Sequence, residues 1–137
     1  MKLDRLSVKN VYKNSIYYTK IIDKEHMLDL IIEMQTCLLI DKGLSANFLI
    51  TSVSLANFII KPFTIEEPVD LHFNEITNNI CKLGKINGIN IFIDSCLPID
   101  IFCIGYSSKI DESNIDEDVT LKLENVVYSY LVDIVII

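Results

Sequence analysis

Two histidines, four cysteines and several clusters of carboxylates are the side chains of this sequence that could do chemistry. His26 stands one turn into an acidic amphipathic segment, and His72 lies in a loop with Glu66, Glu67, Asp70 and Glu75. An imidazole titrates near neutral pH and can act as a general base. That permits a small enzyme built on His72 with Glu66 and Glu67. The spacing favours the plainer reading, two surface histidines and a solvated acidic loop. No serine sits in a Gly-x-Ser-x-Gly setting. Gly84, Gly88 and Gly105 are spaced for turns and strand packing, with no helix behind them to hold a phosphate.

The cysteines, Cys37, Cys81, Cys96 and Cys103, form no Cys-x-x-Cys pair and have no histidine near them in sequence. No zinc site is therefore expected. Three of the four fall inside apolar runs, where a thiol behaves as a small buried hydrophobe. The run Asp111-Glu112-Ser113-Asn114-Ile115-Asp116 is rich in oxygen ligands. It lacks the central glycine and closing glutamate of a calcium-binding EF-hand loop. The expectation is a protein that is not an enzyme and uses no metal or cofactor.

The composition fits that expectation. A chain of 137 residues, 50% hydrophobic and 23% charged, suits one globular domain. A domain of this size buries roughly two-thirds of the surface its unfolded form exposes. Twelve basic residues against nineteen acidic ones give a net charge of −7. Nucleic-acid binding draws on clustered lysine and arginine, so no direct nucleic-acid contact is expected. The opening Met-Lys-Leu-Asp-Arg has no apolar core behind it, and no run reaches the roughly 18 to 20 apolar residues of a membrane span. These features predict a soluble protein with no membrane association. So high an apolar content in a short chain also suggests contact with other subunits.

The elements that must position these residues follow from periodicity and punctuation. Residues 1–22 read as an N-terminal arm with a short strand over Ser15–Ile22, able to lie on a neighbour or on its own core. From Lys24 to Lys42 the pattern is helical, with Met27, Ile31, Met34 and Leu38 on one stripe and Leu28, Ile32 and Leu39 alongside. Asp23 suits the N-cap and Gly43 the left-handed position after the helix. Asn47 to Thr51 reads as a short buried strand, and Ser52 as the cap of a second helix that Lys61-Pro62 ends. Phe63 to Asn78 reads as a long loop with a brief strand over Val69–Phe73.

Beyond Asn79 the sequence predicts a three-strand meander. Asn87-Gly88 turns between two apolar runs, Ile89 to Asp94 is the second strand and Ile101 to Tyr106 the third. Asn87, Gly88 and Gly105 are the structural turn residues of this reading. Residues 107–118 form an acidic loop. The tract from Val119 to Ile137 is β-branched and aromatic, and left exposed it would aggregate, so it must be covered by this fold or by a partner. Val132, Ile134 and Ile136 in this tract, with Tyr17 and Tyr18 in the arm, are the candidate interface residues. The fold class is α+β, two helices on a mainly antiparallel sheet, with residues 23–137 as a single domain.

Two stretches also resemble a known family. Gly84-Lys85-Ile86-Asn87-Gly88-Ile89-Asn90-Ile91-Phe92-Ile93-Asp94, a following proline and Ile104-Gly105-Tyr106 are similar to a motif of tailed-phage major capsid proteins, T-even-like ones in particular. There the run forms part of the axial domain at the capsomer centre. Upstream, a helix, the strand segment Gly43-Leu44-Ser45-Ala46-Asn47-Phe48-Leu49-Ile50-Thr51-Ser52 and a second helix resemble the elements that precede the motif in that family. The likeness spans about residues 25–107 in the same order. It departs from the family at Lys85, where the motif has threonine, and at Ser107-Ser108-Lys109, which replace a glycine-rich segment. The chain is also much shorter than such capsid proteins.

The resemblance implies a virion structural protein, a reduced capsid subunit or an auxiliary decoration protein, made in the host cytoplasm and carried in the virion. Its partners would be protein subunits, in a homo-oligomer or a capsid lattice. The alternative is a phage-encoded or cellular interaction module that binds a peptide strand along an exposed sheet edge.

Overall fold

Eight residues without glycine or proline, Ser15–Ile22, form strand β1 in a computed structural model of the chain. The structure describes Val8, Tyr12 and residues 15–60, 80–86, 88–98, 100–110, 121 and 123–137. The Asp23 carboxylate ends the strand by accepting the Glu25 N–H at 3.2 Å. This cap starts a single 3₁₀ turn, Lys24–His26, that runs into helix α1, Met27–Lys42. Gly43 closes α1 at φ 66°, its N–H bonded to the Leu39 carbonyl. A side chain is disfavoured in that left-handed backbone, which is why glycine serves there.

Strand β2, Phe48–Thr51, is buried along its whole length. The Ser52 hydroxyl then caps helix α2, Val53–Ile60, by accepting the Leu55 N–H at 3.4 Å. Strands β3, Ile80–Ile86, and β4, Ile89–Asp94, flank the hairpin turn, where Gly88 holds φ 81°. Strand β5, Ile101–Ser107, and the long β6, Val126–Ile136, complete the sheet.

The sheet order is β1-β6-β5-β2-β4-β3. An α+β fold holds, but the expected mainly antiparallel sheet is a mixed one. The outer pair β1/β6 and the inner pair β2/β4 are parallel, while β2/β5, β3/β4 and β5/β6 are antiparallel. The expected meander is also corrected. β3 and β4 form its hairpin, yet β2 lies between β4 and β5. A fully buried strand needs a partner on each side, and β2 gains both by entering that gap. The short connection after Asp94 then has to cross one strand, about 10 Å at the usual spacing.

β1 is likewise part of the domain's own sheet. It pairs with β6 from Ser15↔Ser129 to Ile22↔Ile136. Alternation along the strands sorts two cores. Leu49, Ile91, Ile104, Tyr130 and Val132 face α1 and α2. Phe48, Ile50, Phe92, Cys103 and Leu131 face the other way, where Val8, Tyr12, Leu97 and Leu121 cover them.

Gly105, expected at a turn, sits inside β5 opposite Ser129. A Cβ there would stand 2.6 Å from the Ser129 Cβ and would overlap the Tyr128 carbonyl oxygen. Close approach of two strands, and no turn, requires this glycine. The brief strand expected over Val69–Phe73, together with Glu66, Glu67, His72 and Asn87, lies outside the described residues, as does most of the acidic loop.

Candidate functional site

The candidate interface residues divide between core and surface. Val132 and Ile134 are 0% and 2% exposed, which corrects the expectation that a partner covers them. β6 has β1 on one side and β5 on the other, so both of its edges are paired. Tyr130, Val132 and Ile134 pack in the core under the helices and Leu131 in the core behind the sheet, Ile136 packs half-buried at the margin, and Val127 and Val135 of the same strand stay exposed. Tyr17 donates its hydroxyl to the Asp133 carboxylate at 2.6 Å. Tyr18 stays partly exposed and tilts against the Tyr130 ring at 5.6 Å.

Further apolar surface lies elsewhere. Ile16 and Ile21 on β1 are 40% and 69% exposed. On α1, Ile32, Leu39 and Ile40 are also exposed, although two of them belong to the helical stripe. Periodicity alone marks Ile32 and Leu39 as apolar-stripe residues. Only the placement of α1 on the sheet shows that Met27, Leu30, Ile31, Met34 and Leu38 take the buried side. Next to them, Ile32, Gln35, Thr36, Leu39, Ser45, Ala46 and Ile89 line an open cleft of about 320 Å³. Its walls hold no acid, base or thiol.

The two edges of the sheet differ in kind. β3 carries Lys82 and Lys85, and its pairing with β4 breaks register between Lys82 and Gly84. Lysines and bulges are the usual means by which an edge strand resists adding another strand. β1 has neither proline nor break, and its one charge, Lys20, is held at 3.4 Å by Glu33 of α1. Among the described residues no strand pairs with the outer side of β1.

The residues behind the capsid resemblance are framework residues. Asn47 acts as a clamp at the start of β2. Its side-chain amide donates to the Ser107 carbonyl and accepts the Ser107 N–H, both at 2.9 Å. Its own carbonyl accepts the Asn90 N–H at 3.0 Å and the Asn90 side chain at 3.1 Å. One residue thus ties β2 to β5 and β4. Asp94, at the end of β4, is buried and accepts the Tyr12 hydroxyl at 2.7 Å and the Cys96 N–H at 2.9 Å.

Among the described residues, reactive groups do not converge on a catalytic arrangement. His26 is exposed at the start of α1, and no group of three or more histidine, cysteine or acidic side chains among the described residues could hold a metal. Behind the sheet, Ser15 and Ser129 hydroxyls meet at 2.6 Å, with the Cys103 sulfur 3.8 Å from Ser15. Burial pushes the Cys103 thiol up to about 11, against the opposing pull of the two serines. A thiol so protonated is a packing group, and its side-chain partners among the described residues are the two serines. Burial, with Asp94 beside it, also raises the Tyr12 phenol well above its ordinary value. Tyr130 is raised by burial and by the Asp41 carboxylate that accepts its hydroxyl at 3.2 Å.

Compared with protein-family models and with curated proteins, the chain matches none. No helix among the described residues is long and apolar enough to cross a membrane.

Proposed function

We propose that this chain is a virion structural protein, a capsid-like subunit or a capsid-associated auxiliary protein, that works through subunit contacts and carries out no catalysis. One observation carries the reading: among the described residues the sheet ends on β1, an eight-residue edge strand with no proline or register break, beside exposed aliphatic side chains. The order of the capsid-like motifs supports the virion assignment, since Asn47, Gly88, Asp94 and Gly105 all serve the framework of one sheet. The net charge of −7 disfavours direct contact with packaged nucleic acid.

Electron microscopy and light scattering of the expressed protein, alone and mixed with capsids, test the proposal. Ordered assemblies or stoichiometric capsid binding are expected. A strict monomer that also ignores capsids refutes it. The same open edge favours a second reading, a module that takes a strand from a soluble partner. Loss of such a partner on mutation of β1, with assembly untouched, would select it.

A further inference from the structure

We infer that β1 is a self-association strand, and that two copies of this chain pair their β1 edges antiparallel about a two-fold axis at Thr19. The two six-stranded sheets then become one. The inference rests on the assembly reading above and narrows it to one contact and one partner, a second copy.

The first support is the direction of the peptide groups. The Ile22 carbonyl points toward β6, where it accepts the Ile137 N–H at 3.1 Å. Peptide groups alternate along a strand, so those of Thr19 and Ile21 point away from β6 and toward a further strand. The second is the contrast between the edges. β3 has two lysines and a register break, whereas β1 runs eight residues with no proline, bulge or carboxylate.

The third is electrostatic. A net charge of −7 sets two copies of this chain against each other overall. A carboxylate-free strand is where self-contact meets least opposition, because like charges set opposite each other are destabilising. Two-fold pairing at Thr19 places Tyr17 opposite Ile21 of the second copy, Tyr18 opposite Lys20 and Ile16 opposite Ile22. Ile21, 69% exposed in one copy, gains the Tyr17 ring of the other. An axis at Lys20 would set the two lysines face to face, and an axis at Tyr18 would leave Ile21 against the small Ser15.

Sedimentation velocity and light scattering on the full chain read the result. The wild-type chain is expected to form dimers or larger even-numbered assemblies. Thr19→Pro removes an outward N–H without touching the β6 ladder, and Ile21→Lys places a charge in the contact. Each should weaken self-association about a hundredfold or more at unchanged far-UV circular dichroism. Should Thr19→Pro fail to fold, Ile21→Lys changes only an exposed side chain and keeps the test. A short bis-maleimide should link two copies of Thr19→Cys, since side chains facing each other across the axis lie about 4.5–5.5 Å apart, and should not raise the linkage of Ile16→Cys above that of wild type. A wild-type chain that stays monomeric at about 100 µM, where even weak contacts register, overturns the inference. So do variants that associate as well as wild type. Capsid binding by a monomeric chain would keep the assembly reading while removing the β1 pair, so the two failures are distinguishable.

Discussion

Replacing Asn47 with alanine should cost about 2–4 kcal/mol of folding stability. The side chain bonds both backbone groups of Ser107, and Ser107 is 1% exposed. Truncation leaves a buried N–H and a buried carbonyl without those partners, at about 1–3 kcal/mol for each group. Asn47 itself is only half-buried, so water entering the vacated space would offset part of the cost, and the lower half of the range is expected. For a domain of this length that is a fall of roughly 6–12 °C in melting temperature.

Urea unfolding followed by circular dichroism and calorimetry measures the change. Asn47→Asp gives the sharper arm. Its carboxylate still accepts the Ser107 N–H but opposes the Ser107 carbonyl, whereas the protonated acid can donate to it. The aspartate variant should therefore recover part of its deficit, relative to wild type at the same pH, as pH falls through the carboxyl range near 4. An alanine variant within about 0.5 kcal/mol of wild type, or an aspartate variant whose deficit ignores pH, would refute the clamp.

Other substitutions probe the rest of the framework. Tyr12→Phe deletes the donor to buried Asp94 and should lower stability by about 1–3 kcal/mol in urea titrations, with little change in fold. Gly105→Ala drives a methyl group into the β6 backbone and should destabilise by about 3 kcal/mol or more, read as loss of soluble expression or a steep drop in melting temperature. Val132→Lys buries a charge in the core and should abolish folding, while Ile16→Lys on β1 should leave the melting temperature within about 3 °C of wild type. Alkaline pH should weaken the fold. Cys103 and Tyr12 stay protonated in the folded chain above the values at which they ionise when unfolded, so the unfolded chain loses its protons first. Stability is then full below about pH 8 and falls as pH rises toward 11, by up to about 1.4 kcal/mol per pH unit for each group. Cys103→Ala and Tyr12→Phe should each flatten that slope in pH-dependent urea melts.

Local structure was legible in the sequence because its causes are local. Asp23, Gly43 and Ser52 mark the helix ends through hydrogen bonds and backbone angles that span a few residues. The hairpin at Gly88 and the bounds of β2, β4 and β5 follow in the same way from turn chemistry and apolar runs. Partner choice was not legible. Val132, Ile134, Ile16 and Ile21 are all β-branched strand residues, and only the order of strands decides that two are core and two are surface. The place of β2 between β4 and β5 and the parallel seating of β1 on β6 are long-range pairings, fixed by the need to cover both faces and edges of buried strands. Gly105 shows the division in one residue. Its type signals that something needs the missing side chain, and only the tertiary structure names the Tyr128 carbonyl and Ser129 of β6 as the reason.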